Sequence, residues 1–587
     1  MFKLKNGEKF MQKSFHQKLI RIASEKLSGH FLYRTAEEIL KAFPNQDLYV
    51  AEAGFTPSGK IHLGNFNDLC ITYAIVQILE FWGYRGKAIL AIDSRDPFRQ
   101  APIFAPPSFK EKEEELRGLP FDEIEDPWGC HENFAEHFIE PVISSLKDYG
   151  LKIEPIRAKE IHTNPQYIEL LRKILVERKR VREILNRIRE KAGHKRLYPE
   201  NWIPYRPKCG NCGRMDEDVV PLDVSNDGKY VKYKCNHCGY KGEADITKAE
   251  GKPPFRLDWP LRWVLFNVHF EPMGKDLMAS GSSYDTGKAL MIEFFQKKPP
   301  LSVFYDFFYW IPPTDVSRET KLKFSKRKGV GFGMNEWLHY APPEVLKYLI
   351  LRRQIADIYS ESLKHVDFSP LDIPSYVDAY DRHEETFYKI INKEIDLPKP
   401  DTDRILATYI LSQVDIQNIQ PKKPRRLGYS TAIEVALWME SVDDGLNMLK
   451  RMGKLPRDIT DFELEDTKRR LLQAKNWVEQ FYQPQLPDIE NIRHLLSQNQ
   501  LVALERILHK LLSIPKEEID MSRLRPIVKE VADQLGIKTK DIYEAIYLAT
   551  LNRTDGPPIA RLLKRDFIRN HLKKMLDYLF NVADNPK

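Results

Sequence analysis

The chain has 587 residues, too many for one hydrophobic core, so three or four domains are expected. Hydrophobic residues make up 42% of it, charged residues 30%, and the formal net charge is +7, a balance typical of globular proteins and unlike that of disordered or fibrous chains. It contains no run of about 18 apolar residues, and its first residues lack the apolar core of a signal peptide, so we expect a cytoplasmic protein without a membrane span.

A turn between a predicted strand and a predicted helix carries the first motif. Residues 56–65 read Thr-Pro-Ser-Gly-Lys-Ile-His-Leu-Gly-Asn; they follow the apolar run 47–51 and precede an amphipathic helix predicted over 66–82. Backbone N–H groups and the helix dipole would bind a phosphate there, and Gly59 and Gly64 would let it come close. The side chains able to donate hydrogen bonds to it are His62 and Asn65. An ordinary strand-to-helix turn with a surface histidine is the alternative.

A first cluster of potential metal ligands lies within 126–137. Asp126, Cys130, His131 and His137 offer one oxygen, one sulfur and two nitrogens, a donor set that zinc accepts. The spacing predicts that Cys130 and His131 open a helix, with His137 two turns further on. The alternative interpretation is a buried free cysteine with surface histidines.

A basic segment follows at 168–196, where 11 Lys/Arg stand against 4 Asp/Glu. Apolar residues recur at helical spacing, which predicts one long helix with an apolar face and a basic face. A basic face can bind a phosphate backbone by releasing counterions, although a merely solvated face is the alternative.

Four further cysteines form two Cys-x-x-Cys pairs separated by 22 residues. Cys209 and Cys212 make the first pair, Cys235 and Cys238 the second, and the alternating residues 229–234 between them predict a strand. Glycines beside each pair permit tight turns. The pattern predicts a zinc ribbon whose four thiolates close a structural site, because disulfides are disfavoured in a cytosolic protein.

Residues 321–329 read Lys-Leu-Lys-Phe-Ser-Lys-Arg-Lys-Gly, a basic loop before a predicted helix. Lys323 and Lys326, placed beside a nucleotide, could neutralise the charge that develops on leaving pyrophosphate. A solvated loop is the alternative for this segment taken alone. Together, however, the His-Leu-Gly-Asn of the first motif and the Lys-Phe-Ser-Lys-Arg of this loop resemble the HIGH and KMSKS signatures of class I aminoacyl-tRNA synthetases.

Further segments resemble one family in particular, the class I lysyl-tRNA synthetases. The resemblance covers nearly the whole chain and is most specific at the metal cluster 126–137, which it favours as a zinc site, and at the block 281–288, Gly-Ser-Ser-Tyr-Asp-Thr-Gly-Lys. The other segments that carry it are 53–59, 257–263, 270–276, 422–427, 474–477 and 556–562.

The resemblance implies an α/β Rossmann-type catalytic domain with a zinc-ribbon insertion, followed by an all-α anticodon-binding domain. Lysine would attack the α-phosphorus of ATP, giving lysyl-adenylate and pyrophosphate, and the adenylate would pass lysine to the 3′ end of tRNA(Lys). Such a reaction depends on positioning and charge stabilisation. The expected partners are lysine, ATP and tRNA(Lys), the expected cofactors are Mg²⁺ and two zinc ions, and a monomer is expected.

The resemblance also assigns site residues. Catalysis would rest on His62, Asn65, Lys323 and Lys326. The ATP site would include Gly59, Gly64, Gly274, Asp276 and Ser325. Gly54 and Thr56 would line the lysine pocket, and because an ammonium group calls for aromatic faces or carboxylates, the further candidates are Phe255, Trp259, Asp258 and Glu271. Zinc would be held by Asp126, Cys130, His131 and His137, and by Cys209, Cys212, Cys235 and Cys238.

The sequence departs from the family pattern at a few positions. Leu277 stands where a histidine is usual after Gly-Lys-Asp, and Ser94 breaks the acidic pair expected at Asp93. In the lysine-rich loop, Phe324 replaces Met, which preserves apolar anchoring. The remaining departures are Phe255 for Trp, Arg327 for Ser and Val330 for Asn. They motivate two alternatives, a diverged synthetase with another amino-acid or acceptor specificity and a non-catalytic zinc-dependent RNA-binding protein.

Composition and motifs together predict five segments. They are the lead-in with the first half of the catalytic domain (1–145), the connective insertion with basic helix and zinc ribbon (146–252), the second half of the catalytic domain (253–335), a helical stem-contact segment (336–400) and the helical anticodon-binding domain (401–587).

Overall fold

The computed structural model describes residues 6–314, 318–325, 329–357, 359–482, 486–554 and 558–580. The chain divides into two compact units, Met1–Arg426 and Leu427–Lys587. No helix in the described part of the chain is both long and apolar enough to span a bilayer.

The helices of the first unit are α1 Asn6–Ala23, α2 Phe31–Ala42, α3 Leu63–Phe81, α4 Pro107–Glu111, α5 Glu113–Leu116, α6 Phe134–Asp148, α7 Ala158–His162, α8 Pro165–Val176, α9 Arg178–Lys191, α10 Phe255–Phe266, α11 Ser283–Glu293, α12 Met334–Trp337, α13 Pro343–Leu351, α14 Ile373–Ile391 and α15 Lys399–Ser412. Its strands are β1 Tyr49–Phe55, β2 Gly86–Ile92, β3 Ile153–Arg157, β4 Arg206–Pro207, β5 Val219–Val224, β6 Tyr230–Cys235, β7 Lys241–Asp245, β8 Gly251–Lys252, β9 Val268–Phe270, β10 Met273–Gly274, β11 Phe304–Tyr305, β12 Phe308–Trp310, β13 Leu322–Lys323, β14 Ser362–Leu363 and β15 Val366–Phe368.

The centre of the first unit is a parallel sheet with the strand order β3-β2-β1-β9. Helix α3 connects β1 to β2, and its buried residues run around most of its circumference, as expected for a helix enclosed by a core. On β1, Val50 packs with Trp259 and Trp263 of α10, so α10 covers the face to which alternate residues of β1 point. The predicted doubly wound parallel arrangement is confirmed, and ligands of such sheets bind beyond the carboxyl ends of the strands.

The basic segment forms two helices where the sequence predicts one. Helix α8 ends at Val176 and α9 begins at Arg178, because Glu177 adopts φ −90° and ψ 23°, which turns the chain. The apolar residues on both sides, including Leu171, Leu175 and Val181, still pack into one shared core with the ribbon and α10. The predicted apolar stripe is therefore present, bent at one residue.

The predicted zinc ribbon is an antiparallel sheet, β5-β6-β7, in which the predicted strand 229–234 corresponds to β6. The ribbon leaves and rejoins the parallel sheet through a narrow neck formed by β4 and β8, where Arg206 pairs with Lys252 and Pro207 with Gly251. Arg206 and Lys252 of this neck line one cavity together with Thr56 and Ser58 of the phosphate-binding motif.

The second unit is helical in its described part. Its helices are α16 Tyr429–Ala436, α17 Val442–Arg451, α18 Asp461–Phe481, α19 Ile489–Leu495, α20 Gln498–Ser513, α21 Met521–Leu535, α22 Thr539–Leu551, α23 Ile559–Leu563 and α24 Asp566–Phe580. The unit has its own hydrophobic core, in which the fully buried residues include Leu504, Ile507, Leu511, Val531 and Ile546. It therefore does not depend on the first unit for a buried interior.

Candidate active site and metal centres

The two sequence motifs, distant along the chain, meet at the N-terminus of α3. His62 is the N-cap residue of α3, and its side chain makes no capping hydrogen bond to the first turn of the helix. The centroid of its ring lies 5.4 Å from that of Phe324, in an edge-on arrangement. Gly331, which has φ +149°, fits between them: a Cβ there would lie 3.1 Å from Phe324 and 3.2 Å from His62. Phe324 is buried, so the apolar anchoring expected of it is present.

In the lysine-rich segment, the backbones of Ser325 and Val330 exchange hydrogen bonds of 2.8 and 3.2 Å. Lys323 lies on β13, exposed, with Nζ 3.1 Å from the ring centroid of Phe307. Lys275 approaches the same ring at 5.8 Å. Lys326 lies outside the described residues.

Asn65 is one turn into α3 and half-buried. Its side-chain oxygen is shielded from solvent and has no hydrogen-bond partner within the described part of the chain. Gly64 is required beside it, since a Cβ there would lie 3.0 Å from the His62 ring. An acceptor placed in this way can receive a hydrogen bond from a ligand.

Beneath the loop lies a group of buried charges. Glu52 and Gly54 point to the same face of β1, and a Cβ on Gly54 would lie 3.9 Å from Oε1 of Glu271. Glu52 is fully buried and Glu271 is 4% exposed. Arg262 of α10 lies between the acids, with Nε 3.3 Å from Oε1 of Glu52 and Nη1 donating to Oδ1 of Asp93 at 2.8 Å.

Two tryptophans hold Glu271 in place. The indole N–H of Trp259 lies 2.9 and 3.0 Å from the two carboxylate oxygens, and that of Trp263 donates to Oε2 at 2.6 Å. Burial raises the pKa of Glu271 to about 7, although Arg262 and both indoles favour its charged form. Burial and the charge of Glu271 also raise the pKa of Glu52 well above its usual range.

This group is short of positive charge. Of the three buried carboxylates, Glu52 and Asp93 contact the guanidinium of Arg262, and Glu271 has no ion pair among the described residues. Lys252, which also favours the charged form of Asp93, is shared with Asp96 and Asp258. Burial works against the charge of Arg262, yet Asp93 and Glu52 raise its pKa above the usual range. Buried charges are stable only when they are paired, so the group can accept a further cation from a ligand.

Asp258, a candidate for the amino-acid pocket, is 1% exposed and already surrounded by partners. Its Oδ1 lies 3.0 Å from Nε2 of His162 and accepts from the hydroxyl of Tyr167, while Nζ of Lys252 lies 3.5 Å from Oδ2. His162, Lys252 and Arg262 lower the pKa of Asp258 against the effect of burial. The carboxylate thus connects α7, α8 and β8 to α10.

The expected ATP residues Gly274 and Asp276 adjoin each other after β9. The carboxylate of Asp276 folds back over Gly274, where a Cβ would lie 2.6 Å from Oδ1. Asp276 is exposed. Leu277, which departs from the family pattern, packs instead against a buried cluster that includes Trp259 and Met273.

The four cysteines of the ribbon converge. Sγ of Cys209 lies 3.6 Å from Sγ of Cys238, and Sγ of Cys212 lies 3.7 Å from Sγ of Cys235. Tetrahedral zinc with bonds of about 2.3 Å requires sulfur separations of about 3.8 Å. The donor set and its spacing therefore fit a zinc ion with no coordination position left open.

The second cluster also converges, with all four ligand atoms within 4.8 Å of one another. Sγ of Cys130 lies 3.0 Å from Nδ1 of His131 and 3.3 Å from Nδ1 of His137. Asp126 is buried and accepts hydrogen bonds from the backbone N–H groups of Cys130 and His131, each at 2.9 Å. Cys130 is exposed, so the buried-cysteine alternative is wrong.

One local prediction for this cluster is also wrong. The helix does not begin at Cys130 and His131; it begins at Phe134, capped by the side chain of Asn133. Cys130 and His131 lie in the preceding turn, and His137 lies in the first turn of α6. The turn brings the ligands together, because it folds their backbone around Asp126.

Glu52, Asp93 and Arg262 were missed as site residues by the sequence analysis. The available signal was a glutamate inside an otherwise apolar strand, Tyr-Val-Ala-Glu-Ala-Gly-Phe. A charged residue at such a position is rarely buried without a partner, and the partner is on α10, more than 200 residues away along the chain.

Comparison with known proteins gives consistent matches. Residues 29–405 match the family described as tRNA synthetases class I (K). The lysine–tRNA ligase of Methanocaldococcus jannaschii is 32% identical over 89% of this chain and 95% of its own, and that of Pyrococcus horikoshii is 30% identical over 93% and 99%. The lysine–tRNA ligase of Pyrococcus furiosus is likewise 30% identical over 93% and 99%.

Proposed function

Because this chain belongs to the class I tRNA synthetases of the K family, we propose that it is a lysine–tRNA ligase, which activates lysine with ATP and transfers it to the 3′ end of tRNA(Lys). The observation that carries the choice of substrate is the excess of buried carboxylate around Arg262. Lysine supplies the missing cation: its ammonium group would lie near Glu271, whose position is fixed by Trp259 and Trp263.

Activation would take place at the N-terminus of α3. His62 and Asn65 would bind the phosphates of ATP, and Gly274 and Asp276 its ribose. Lys323 would neutralise pyrophosphate after leaving the face of Phe307, where it lies 3.1 Å from the ring centroid. Such groups act by stabilising charge that develops in the transition state. Lys326 and Ser325 complete the site in this proposal, and Mg²⁺ bound together with ATP would offset part of the phosphate charge.

The two metal clusters would hold zinc. The four-thiolate site would stabilise the ribbon, since it leaves no position for a substrate. The mixed cluster at 126–137 would fix the turn before α6, adding a metal ion to the hydrogen bonds that Asp126 accepts from the backbone of the turn. The helical second unit would bind the anticodon region of the tRNA, whose unpaired bases can be recognised by stacking and edge hydrogen bonds.

Aminoacylation of total tRNA with each labelled amino acid, with ATP and Mg²⁺ present, tests the proposal. Charging by lysine alone is the expected result. Charging by another amino acid would keep the synthetase and reassign its specificity, and binding of tRNA without charging would favour a non-catalytic RNA-binding protein.

His62→Ala should lower the rate of adenylate formation by about 100-fold, a typical loss for one donor to a transition-state charge. The rate is measured as lysine-dependent ATP–pyrophosphate exchange with tRNA present. His509→Ala serves as the control, because His509 is an exposed histidine on α20 of the second unit. An unchanged rate in His62→Ala would remove this residue from the mechanism.

A further inference from the structure

Two aromatic side chains join the mixed metal cluster to the lysine-rich segment 321–329. Trp128 lies in the turn of the cluster, where its backbone N–H donates to Oδ1 of Asp126 at 3.1 Å. Its ring stacks on the ring of His137, a member of the cluster, and on that of Phe104, with centroids 6.1 Å apart. Phe104 also meets the ring of Phe138 on α6, edge on at 6.2 Å. The residues around the cluster thus set the position of Phe104.

Phe104 also reaches the end of the lysine-rich segment. Gly329 adopts φ +61°, and a Cβ there would lie 3.4 Å from Cγ2 of Ile103 and 3.5 Å from Cδ1 of Phe104. Ile103 and Phe104 belong to a turn in which the N–H of Ala105 donates to the carbonyl of Pro102 at 2.9 Å. The lysine-rich segment therefore ends against this turn.

The contact at Gly329 is close to the proposed site of activation. Gly331, two residues further on, lies against the phosphate motif, since a Cβ there would be 3.2 Å from Cβ of His62. The next residue, Phe332, accepts a backbone hydrogen bond of 2.8 Å from Leu63. Because bond lengths and planar peptides limit how far neighbouring residues can separate, a shift of Gly329 would be felt at His62.

A cavity of about 240 Å³ lies between these parts of the molecule. Lys60 lines it from the phosphate motif, Asn335 from α12, and Phe104, Trp128 and His137 from the cluster and its neighbour. A close-packed core would hold the two rings in one arrangement. The open space beside them gives both rings room to change position with the state of the cluster.

We propose that Phe104 is a positioning residue, which holds the end of the lysine-rich segment in place and makes lysine activation depend on the metal at the mixed cluster. It acts through Gly329 and touches no substrate. A bound metal would fix His137 and, through it, Trp128 and Phe104. The proposal rests on the proposed function, because it gives the segment a part in activation. A displacement of about 1 Å far from the reacting atoms is enough to lower a rate strongly.

Phe104→Ala should lower the turnover of lysine-dependent ATP–pyrophosphate exchange, measured with tRNA present, by about tenfold. The KM for lysine should stay unchanged, because the amino acid would bind around Glu271. Phe104→Tyr keeps the ring and should retain the wild-type turnover. Tyr578→Ala is the matched control: Tyr578 is 45% exposed, against 38% for Phe104, and lies on α24 of the second unit.

The affinity of the mixed cluster for zinc supplies a readout that does not depend on activity. Saturating ATP and Mg²⁺, with tRNA present, should raise this affinity by about fivefold, because a coupling between two sites is reciprocal. Competition with a zinc-selective chelator measures it, and the four-thiolate site is the internal reference. Cys130→Ser removes a ligand of the mixed cluster and so identifies the ion concerned. In Phe104→Ala the effect of ATP should disappear, with the zinc content unchanged.

Any of four outcomes would overturn the inference. Phe104→Ala could turn over as fast as Tyr578→Ala, or it could raise the KM for lysine while losing turnover, which would show general damage to the site. The wild-type cluster could bind zinc equally with and without ATP, or ATP could still raise the zinc affinity in Phe104→Ala. Failure of the wild-type protein to charge tRNA with lysine is a different result. It would refute the proposed function, and the zinc competition would still report on the coupling.

Discussion

Glu271 has the most constrained environment of the candidate site residues. Its carboxylate accepts from two indoles, lies beside the face of β1 that carries Gly54, and has a pKa raised by burial to about 7. A carboxylate of this kind changes charge within the physiological range. At the residue scale, substrate binding is therefore expected to depend both on this side chain and on its protonation.

Glu271→Gln should raise the KM for lysine by about 10- to 100-fold, because a hydrogen bond to a charged group contributes about 1.5–3 kcal/mol. The amide keeps the size of the side chain and one acceptor for the indoles. Steady-state aminoacylation measures the change. Glu384→Gln is the matched control, since Glu384 is equally buried but is paired with Tyr409 and Arg426 among the helices. Equal KM values in the two variants would refute the role of Glu271.

The KM for lysine should fall as the pH rises from about 6 to about 8, because the ionised carboxylate attracts the ammonium group. Rising pH has the opposite effect on stability, because it removes the proton that favours the folded state. The folded pKa of about 7 exceeds the ordinary 4.5, so the contribution of Glu271 to stability is fully present below pH 4.5 and is lost as the pH rises through about 7. Lysine KM against pH, measured for wild type and Glu271→Gln, checks this; a fall in KM that persists in the variant would contradict it.

At the scale of elements, a feature could be predicted from the sequence when the residues that form it lie close together in the chain. The ribbon strand, the convergence of the four side chains at 126–137 and the strand–turn–helix around His62 were predictable, because each depends on residues close together in the chain or at one fixed spacing, such as that of Cys209 and Cys212. The buried charge group was not, because it requires β1 to be packed against α10 before Glu52 can meet Arg262. The end of α8 before Glu177 could not be predicted either, because the apolar residues keep their helical spacing across it.

Cys235→Ser should reduce the zinc content from two ions per chain to one and lower the melting temperature, because it removes one of the four thiolates that would close the metal site of the ribbon. Elemental analysis and thermal unfolding provide the two readouts. Cys70→Ser is the matched control: Cys70 is buried in α3, outside both clusters. Retention of two zinc ions by Cys235→Ser would refute the ribbon assignment.

On the scale of the whole molecule, each unit has its own interior. The second unit buries its apolar residues in a core formed within 438–579, so a fragment spanning 427–587 should fold alone and unfold cooperatively on heating. Within it, Ile507→Ala should lower the free energy of unfolding by about 2–5 kcal/mol, the usual cost of a core cavity. Circular dichroism measures both, and a fragment without a cooperative transition would contradict the independence of the unit.

The ring of Trp128 stacks on that of His137, with centroids 4.0 Å apart and planes inclined by 17°. His137 belongs to the mixed metal cluster, and Trp128 also stacks on Phe104 at 6.1 Å. An indole held against an imidazole has an emission that depends on whether that imidazole carries a metal or a proton. If a metal ion bound to His137, the emission of Trp128, one of nine tryptophans, would change, and metal uptake at this cluster could be followed in the unlabelled protein.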